Sequence, residues 1–152
     1  MNKVFGILFL VILMGNLVAC KKDAKSQIPA ALIGKWYVRQ YTTTSSSNAF
    51  SDTPYTVRFS DTATNVYIQF KNDGTGLEEY SADPNFVSVP PLGFTYNISG
   101  NNITFSQITA IMMGKTYSFE MPTSNSLLLH INYSYTAAGM VINNVQEITL
   151  GR

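Results

Sequence analysis

Apolar and polar residues alternate with a period of two over most of this chain, which is typical of β-strands with one buried and one wet face. The clearest segments are 66–71, 94–98, 116–121 and 127–135. In the last of these, Leu127 and Leu129 share one face, while Leu128 and His130 share the other. The alternation predicts antiparallel strands from Lys35 to the C-terminus.

Turn-forming residues separate these segments at short intervals. Asn72-Asp73-Gly74 is a strong hairpin signal, because its residues tolerate a positive φ. Gly100-Asn101-Asn102 and Ala137-Ala138-Gly139 predict two further tight turns. Residues 44–54, rich in Ser and Thr, and residues 83–93, which contain three prolines, are predicted to form longer loops.

The number and spacing of these elements predict an all-β fold. Pro29 can begin a short helical turn that ends at Gly34, and eight to ten strands follow. We expect one antiparallel meander β-barrel in a single domain. An open immunoglobulin-like sandwich is the alternative, although the Cys…Trp…Cys pattern of such domains is missing.

The N-terminus has the features of a secretory signal. Lys3 precedes an apolar run, and small residues precede a cysteine in Leu17-Val18-Ala19-Cys20. These four residues resemble a bacterial lipobox, in which cleavage falls before the cysteine and acyl chains are attached to it. A transmembrane anchor is the alternative, but residues 4–19 are shorter than the ~20 apolar residues of a spanning helix. A secreted protein with Cys20 merely near the cleavage site is another alternative.

This motif predicts a division of the chain into three parts and a location in the cell. Residues 1–19 form a cleaved signal peptide, residues 20–27 form the lipidated cysteine and a polar tether, and residues 28–152 form the barrel domain. Lys21 in place of an acidic residue favours the outer membrane of a Gram-negative cell envelope. Near Cys20 the acidic cluster typical of surface export is represented by Asp23 alone, so the side that the domain faces stays open.

Composition limits the function further. Cys20 is the single cysteine, which rules out an intramolecular disulfide. From Ser26 onward acidic residues outnumber basic ones, and the cations are scattered. Nucleic-acid binding needs a basic stripe, so no nucleic acid is expected as a partner. We expect a monomer, attached to the membrane by Cys20 and without a cofactor.

The residues that catalysis or metal binding requires are sparse. His130 is the single histidine and alternates with leucine and isoleucine, so an exposed or hydrogen-bonded strand residue is expected rather than a zinc ligand. Glu78 and Glu79 are adjacent and point to opposite faces of a strand, which is poor geometry for a glycosidase pair. We therefore predict that the protein is not an enzyme.

Several motifs occur in an order that resembles a known family. Gly34-Lys35-Trp36 opens the first strand, residues 68–76 run from an aromatic strand into an Asp-Gly turn, and residues 94–105 form a hairpin. With the lipobox, this order resembles the lipocalin-like lipoproteins of Bacteroidota over roughly residues 33–150. The resemblance implies a small β-barrel, and a basic residue packed across Trp36, for which Arg152 is the C-terminal candidate. The Thr-Asp-Tyr-like turn of lipocalins is missing.

The resemblance and the aromatic residues of the apolar faces together suggest a binding site inside the barrel. An eight-stranded barrel is either filled by side chains or holds one small ligand. In the first alternative, an apolar or amphipathic molecule enters the mouth, and a pocket of about 300 Å³ or more, lined by the aromatic residues, is expected. In the second, a filled barrel presents residues 44–54 and 83–93 to another envelope protein. The candidate ligand-binding residues are Trp36, Phe70, Tyr96, Phe105, Tyr117, Phe119 and Tyr133.

Overall fold

A computed structural model describes most of the predicted barrel domain. The described residues are 28–47, 54–60, 66–80, 90–107, 109, 111–112 and 115–152. The predicted signal peptide and lipidated tether lie outside these residues. Within the described part of the chain, no helix is long and apolar enough to cross a bilayer.

Nine antiparallel strands and one short 3₁₀ turn make up the described fold. The turn is Ala30–Leu32, and it ends before Gly34 as its sequence predicts. The strands are β1 (Gly34–Ser47), β2 (Tyr55–Arg58), β3 (Val66–Phe70), β4 (Thr75–Tyr80), β5 (Leu92–Ser99), β6 (Asn102–Phe105), β7 (Thr116–Thr123), β8 (Ser126–Ala137) and β9 (Met140–Gly151).

The strands form a meander that closes on itself. From β3 to β9 each strand pairs with the next one along the chain, and β9 returns to pair with β1. The other edge of β1 pairs with β3 near its start and with β2 further along. The result is a closed eight-stranded barrel with β2 as an extra strand, which confirms the predicted all-β meander barrel.

Tight turns connect the strands where the sequence predicts them. Gly74 has φ +82° and ends the turn between β3 and β4, where Asp73 Oδ1 accepts hydrogen bonds from the Thr75 N–H at 2.9 Å and the Thr75 hydroxyl at 2.7 Å. These bonds lower the pKa of Asp73. Positive φ angles also occur at Gly100 and at Ala138 in the other two predicted turns.

Two predicted loop boundaries are wrong. β1 continues through Thr44 to Ser47, because the hydroxyl-rich segment pairs without interruption with β9 as far as Ser47↔Ile142. β5 begins at Leu92, inside the predicted loop 83–93, because Leu92 pairs with Glu78 of β4. The rest of both predicted loops includes residues outside the described part of the chain.

One end of the barrel is packed with side chains. The starts of β1 and β8 and the ends of β3, β7 and β9 lie there, and the 3₁₀ turn covers it. We call this the closed end and use the term open end for the opposite one, where β1, β4 and β8 finish; several of its connections lie outside the described residues. The inward side chains nearest the closed end are fully buried: Leu32, Trp36, Ile68, Phe70, Leu127, Leu129, Ile148 and Leu150.

Candidate ligand-binding site

Trp36 and Arg152 seal the closed end. The indole of Trp36 is fully buried, and its Nε1 donates a hydrogen bond to the carbonyl of Leu32 at 2.8 Å. The Arg152 guanidinium lies 4.1 Å from the centre of the indole ring. Its Nη2 donates to the carbonyls of Ala31 at 2.9 Å and Ile33 at 2.7 Å. Arg152 is therefore the basic residue that the family resemblance implies across Trp36.

Five aromatic rings fill the barrel above this seal. Neighbouring rings meet mostly edge to face, with centroid separations from 5.1 Å to 6.3 Å. Such geometry adds stability beyond the area that the rings bury. The five are Phe70, Phe94, Tyr96, Phe105 and Tyr117.

The two tyrosines of this cluster use their phenols inside the protein. Tyr96 donates to the carbonyl of Lys71 at 2.6 Å. Burial, with a smaller contribution from the negative charge of Asp73, raises the pKa of Tyr96 to about 12. Tyr117 donates to the side-chain oxygen of Gln146. These hydroxyls are satisfied by the protein itself.

Three residues between β6 and β7 lie inside the barrel, which the sequence pattern did not predict. Thr109, Ile111 and Met112 are buried, and the side chain of Glu78 holds them from β4. The Thr109 hydroxyl donates to Glu78 Oε2, and the Ile111 N–H donates to Glu78 Oε1 at 3.1 Å. Gln146 Nε2 donates to the Ile111 carbonyl at 3.1 Å.

The apolar run 108–113 was the available signal for this insertion. The sequence Ile-Thr-Ala-Ile-Met-Met lies between two strands, and an exposed loop rarely carries so many apolar residues. The buried residues of this run and the aromatic cluster below them fill much of the interior that the described residues enclose.

A pocket of about 230 Å³ lies at the open end. Ile111 forms part of its wall, beside aromatic and branched side chains from β1, β4 and the segment that contains β2. Small-molecule sites usually enclose about 300–1,000 Å³, so this pocket fits a small ligand or part of a larger one. Its lining residues are Val38, Tyr41, Tyr55, Val57, Phe59, Tyr80 and Ile111.

The predicted binding residues lie elsewhere. Six of the seven are buried in the core, where they contact other side chains, and Tyr133 is half-buried on β8. None of the seven lines the pocket, and their binding of a ligand stays a prediction. The sequence signal for the pocket lining was the alternation of Tyr55, Val57 and Phe59. It was missed because these residues directly follow the predicted loop 44–54.

Polar side chains cover the part of the inner wall formed by β1, β9 and β8. The inward residues here include Thr43 and Ser45 of β1 and Asn144 of β9. Tyr133 of β8 lies in register with Asn144. Burial raises the pKa of Tyr133, and the nearby phenols of Tyr41 and Tyr135 raise it further. The open end thus combines a pocket lined by aromatic and aliphatic residues with a polar wall.

The outer face of the barrel holds the single histidine. The Nδ1 atom of His130 lies 3.3 Å from Glu147 Oε1, and both side chains are well exposed. Glu79 also lies on the outer face, where its carboxylate accepts a hydrogen bond from Tyr67. Burial raises the pKa of Tyr67, and this hydrogen bond raises it further. Among the described residues, no three His, Cys, Asp or Glu side chains are placed to hold a metal ion.

The fold and the site together define a class of protein. A closed antiparallel barrel of eight strands with one sealed end is the architecture of the small β-barrels, whose interior is either filled by side chains or holds one small molecule.

The chain belongs to the lipocalin-like domain family, whose sequence profile matches residues 32–129, more than half of the chain. This fold is typically a binding fold rather than an enzymatic one. No curated protein and no solved structure matches the chain.

Proposed function

We propose that the protein binds a small apolar or amphipathic molecule in the pocket at the open end of the barrel. The observation that carries this proposal is the pocket of about 230 Å³ between Tyr41, Val57 and Ile111. The residues that line it are valine, isoleucine, phenylalanine and tyrosine. Burial of apolar ligand surface against their apolar parts is favourable by about 25 cal/mol per Å². We assign the protein no catalytic role.

We further propose that Cys20 is acylated and anchors the domain to the outer membrane. The support is the Leu17-Val18-Ala19-Cys20 motif with Lys21 after it. The described chain begins at Ile28, which packs against the core beside the 3₁₀ turn of the closed end. The tether would therefore join the barrel opposite the pocket. Mass spectrometry of the N-terminus of the natural protein tests this, and an unmodified peptide that starts elsewhere would refute it.

Binding in the pocket can be tested with the neutral dye Nile red, whose fluorescence rises in apolar sites. Val57→Trp places a larger side chain in the pocket and should weaken dye binding at least tenfold. Val145→Trp is the matched control, because Val145 is exposed on the outer face of β9. Its binding should equal that of the wild type.

Thermal unfolding of both variants shows that each is folded. Failure of the wild type to bind Nile red would contradict the proposal. Equal binding by Val57→Trp and Val145→Trp would also contradict it, because the dye would then bind outside the pocket.

The alternative is an interaction module that presents its open end to another envelope protein. Three large apolar side chains next to the predicted loops 44–54 and 83–93 favour it: Tyr55 is 66% exposed, Leu92 48% and Tyr80 40%. In that case Nile red should not bind, and cross-linking in the native envelope should join the open end to one protein. Replacement of Tyr55 and Leu92 by Ser should abolish that cross-link.

A further inference from the structure

Two consecutive rows of inward side chains cross β1, β9 and β8 in the upper part of the barrel. Antiparallel pairs place them in register, so that each row forms one level of the inner wall. Five of the six side chains are polar, although they belong to the interior. The rows are Ser45–Asn144–Tyr133 and Thr43–Gln146–Ile131.

The hydrogen bonds of these rows are incomplete within the described part of the chain. Gln146 is satisfied, because it accepts from Tyr117 and donates to Ile111. Asn144 is only 5% exposed, and its Oδ1 accepts from the Ser45 hydroxyl at 2.6 Å. Its Nδ2 has no partner among the described residues, and neither does the buried Oγ1 of Thr43. Buried polar atoms nearly always have partners, which water or a ligand supplies where the protein does not, so these two atoms can bind the polar end of a ligand.

The unpartnered groups adjoin the pocket. Tyr41 lines the pocket and precedes Thr43 on the same face of β1. The phenol of Tyr41 also lies close enough to Tyr133 to raise the pKa of that tyrosine. A molecule with its apolar part in the pocket can therefore extend along β1 to the level of Thr43 and Asn144.

The charges around these rows favour a neutral head group. Neither row contains a lysine or arginine. Among the described residues, Lys115 contacts the row that contains Tyr133, with its Nζ 4.6 Å from the centre of the Tyr133 ring. The Lys115 side chain is exposed to water. The carboxylate of Glu78 is buried deeper in the same barrel. A buried anionic head group without a buried cation would be costly.

We propose that the ligand carries a neutral head group with hydroxyl or carbonyl oxygens, which the amide of Asn144 and the hydroxyl of Thr43 bind. Its apolar part occupies the pocket between Val57 and Ile111. This inference rests on the proposed function, since it names the ligand class of the same site. A fatty-acid carboxylate or a phosphate is excluded from that class.

Two probes of equal chain length test the head group on the full chain. Monodecanoylglycerol has neutral ester and hydroxyl oxygens, and decanoate has a carboxylate. Displacement of Nile red gives the affinity of each. We expect monodecanoylglycerol to bind at least tenfold tighter than decanoate, since a lost hydrogen bond or an uncompensated charge costs about that factor.

Variants at one strand then identify the donor. Asn144→Leu keeps the size of the side chain and should weaken monodecanoylglycerol binding about tenfold, with Nile red binding unchanged. Asn143→Leu is the control, because Asn143 is exposed on the outer face of the same strand. Thr43→Val, which keeps the shape of the side chain, is the second variant and should also weaken monodecanoylglycerol binding. It keeps the test available if Asn144→Leu does not fold.

The outcomes separate the two proposals. If Nile red binds but decanoate binds as tightly as monodecanoylglycerol, the inference is overturned and the proposed function stands. The same holds if Asn144→Leu, or Thr43→Val in its place, leaves the affinity for monodecanoylglycerol unchanged. If the wild type does not bind Nile red, the proposed function itself has failed.

Discussion

Arg152 stabilises the closed end of the barrel through two kinds of contact. Its guanidinium stacks on the indole of Trp36, and its Nη2 donates to two carbonyls of the 3₁₀ turn. One side chain thus joins the last strand, the first strand and the turn. A planar guanidinium can stack and donate at the same time, which an ammonium group cannot do equally well.

Removal of this side chain should lower the stability of the barrel. We expect Arg152→Ala to reduce the free energy of unfolding by about 2 kcal/mol, because a cation–π contact and hydrogen bonds from a charged donor are lost. Arg152→Lys should recover less than half of this loss. Urea unfolding followed by Trp36 fluorescence measures both. A loss below about 0.5 kcal/mol for Arg152→Ala would show that the contacts do not hold the closed end.

Tyr96 gives a pH-dependent prediction. At pH 8, Tyr96→Phe should be about 1 kcal/mol less stable than the wild type, because the hydrogen bond to the Lys71 carbonyl is lost. Above pH 10 the phenol ionises in the unfolded chain, whereas its pKa of about 12 keeps it protonated in the folded protein. Ionisation therefore stabilises the unfolded state of the wild type as the pH rises through this window. The difference in the free energy of unfolding between the wild type and Tyr96→Phe should narrow.

Urea unfolding of both proteins at pH 8 and pH 11 measures this change. The difference between the two proteins isolates Tyr96, because the other ionisations are common to both. A gap that stays constant from pH 8 to pH 11 would contradict the raised pKa.

At the scale of the elements, β3, β4 and β5 pack together at a position that only glycine fits. Gly76 of β4 is buried opposite Phe94 of β5. A Cβ atom at residue 76 would overlap the Phe94 ring and approach the carbonyl of Gln69. The aromatic ring lies over the glycine, which brings the two strands and the ring cluster together.

Gly76→Ala should therefore destabilise the barrel by about 1–3 kcal/mol, the usual cost of overpacking a core. Gly93→Ala is the matched control, because Gly93 lies in the neighbouring strand and a Cβ there meets nothing within 4 Å. Thermal unfolding compares the two variants. Equal melting temperatures for both would contradict the close approach of Phe94 to Gly76.

The period-two pattern and the turn residues were sufficient to predict most elements. Where strands have one wet face, as in β5 and β8, alternation and flanking glycines give their approximate position. The end of β1 was missed, because its inward positions carry Thr and Ser instead of apolar residues. Pairing with β9, a contact between distant parts of the chain, keeps that segment extended.

The candidate site was harder to predict than the fold. Large buried rings were predicted to bind a ligand. In the barrel they contact one another, and their binding of a ligand stays a prediction. The pocket depends on β2 and on the inserted segment that contains Ile111. Neither placement follows from local pattern, because Ile111 is held inside the barrel by donating to the Glu78 carboxylate and accepting from the Gln146 amide.

At the scale of the whole molecule, the two ends of the barrel have different chemistry. The closed end is sealed by Trp36 and Arg152 and lies next to the start of the described chain. The open end has the pocket, the polar wall and exposed apolar side chains such as Tyr135 and Val141. With an anchor at Cys20, the proposed ligand would enter from the end away from the tether.

The most direct test of this account is to locate a bound molecule by nuclear magnetic resonance. The methyl groups of Val38, Val57 and Ile111 line the pocket, whereas those of Val141 and Val145 are exposed. With methyl-labelled protein and monodecanoylglycerol, we predict intermolecular nuclear Overhauser effects from the acyl chain to the three lining residues. Contacts to Val141 and Val145 instead, or to no methyl group of the pocket, would contradict ligand binding in the pocket.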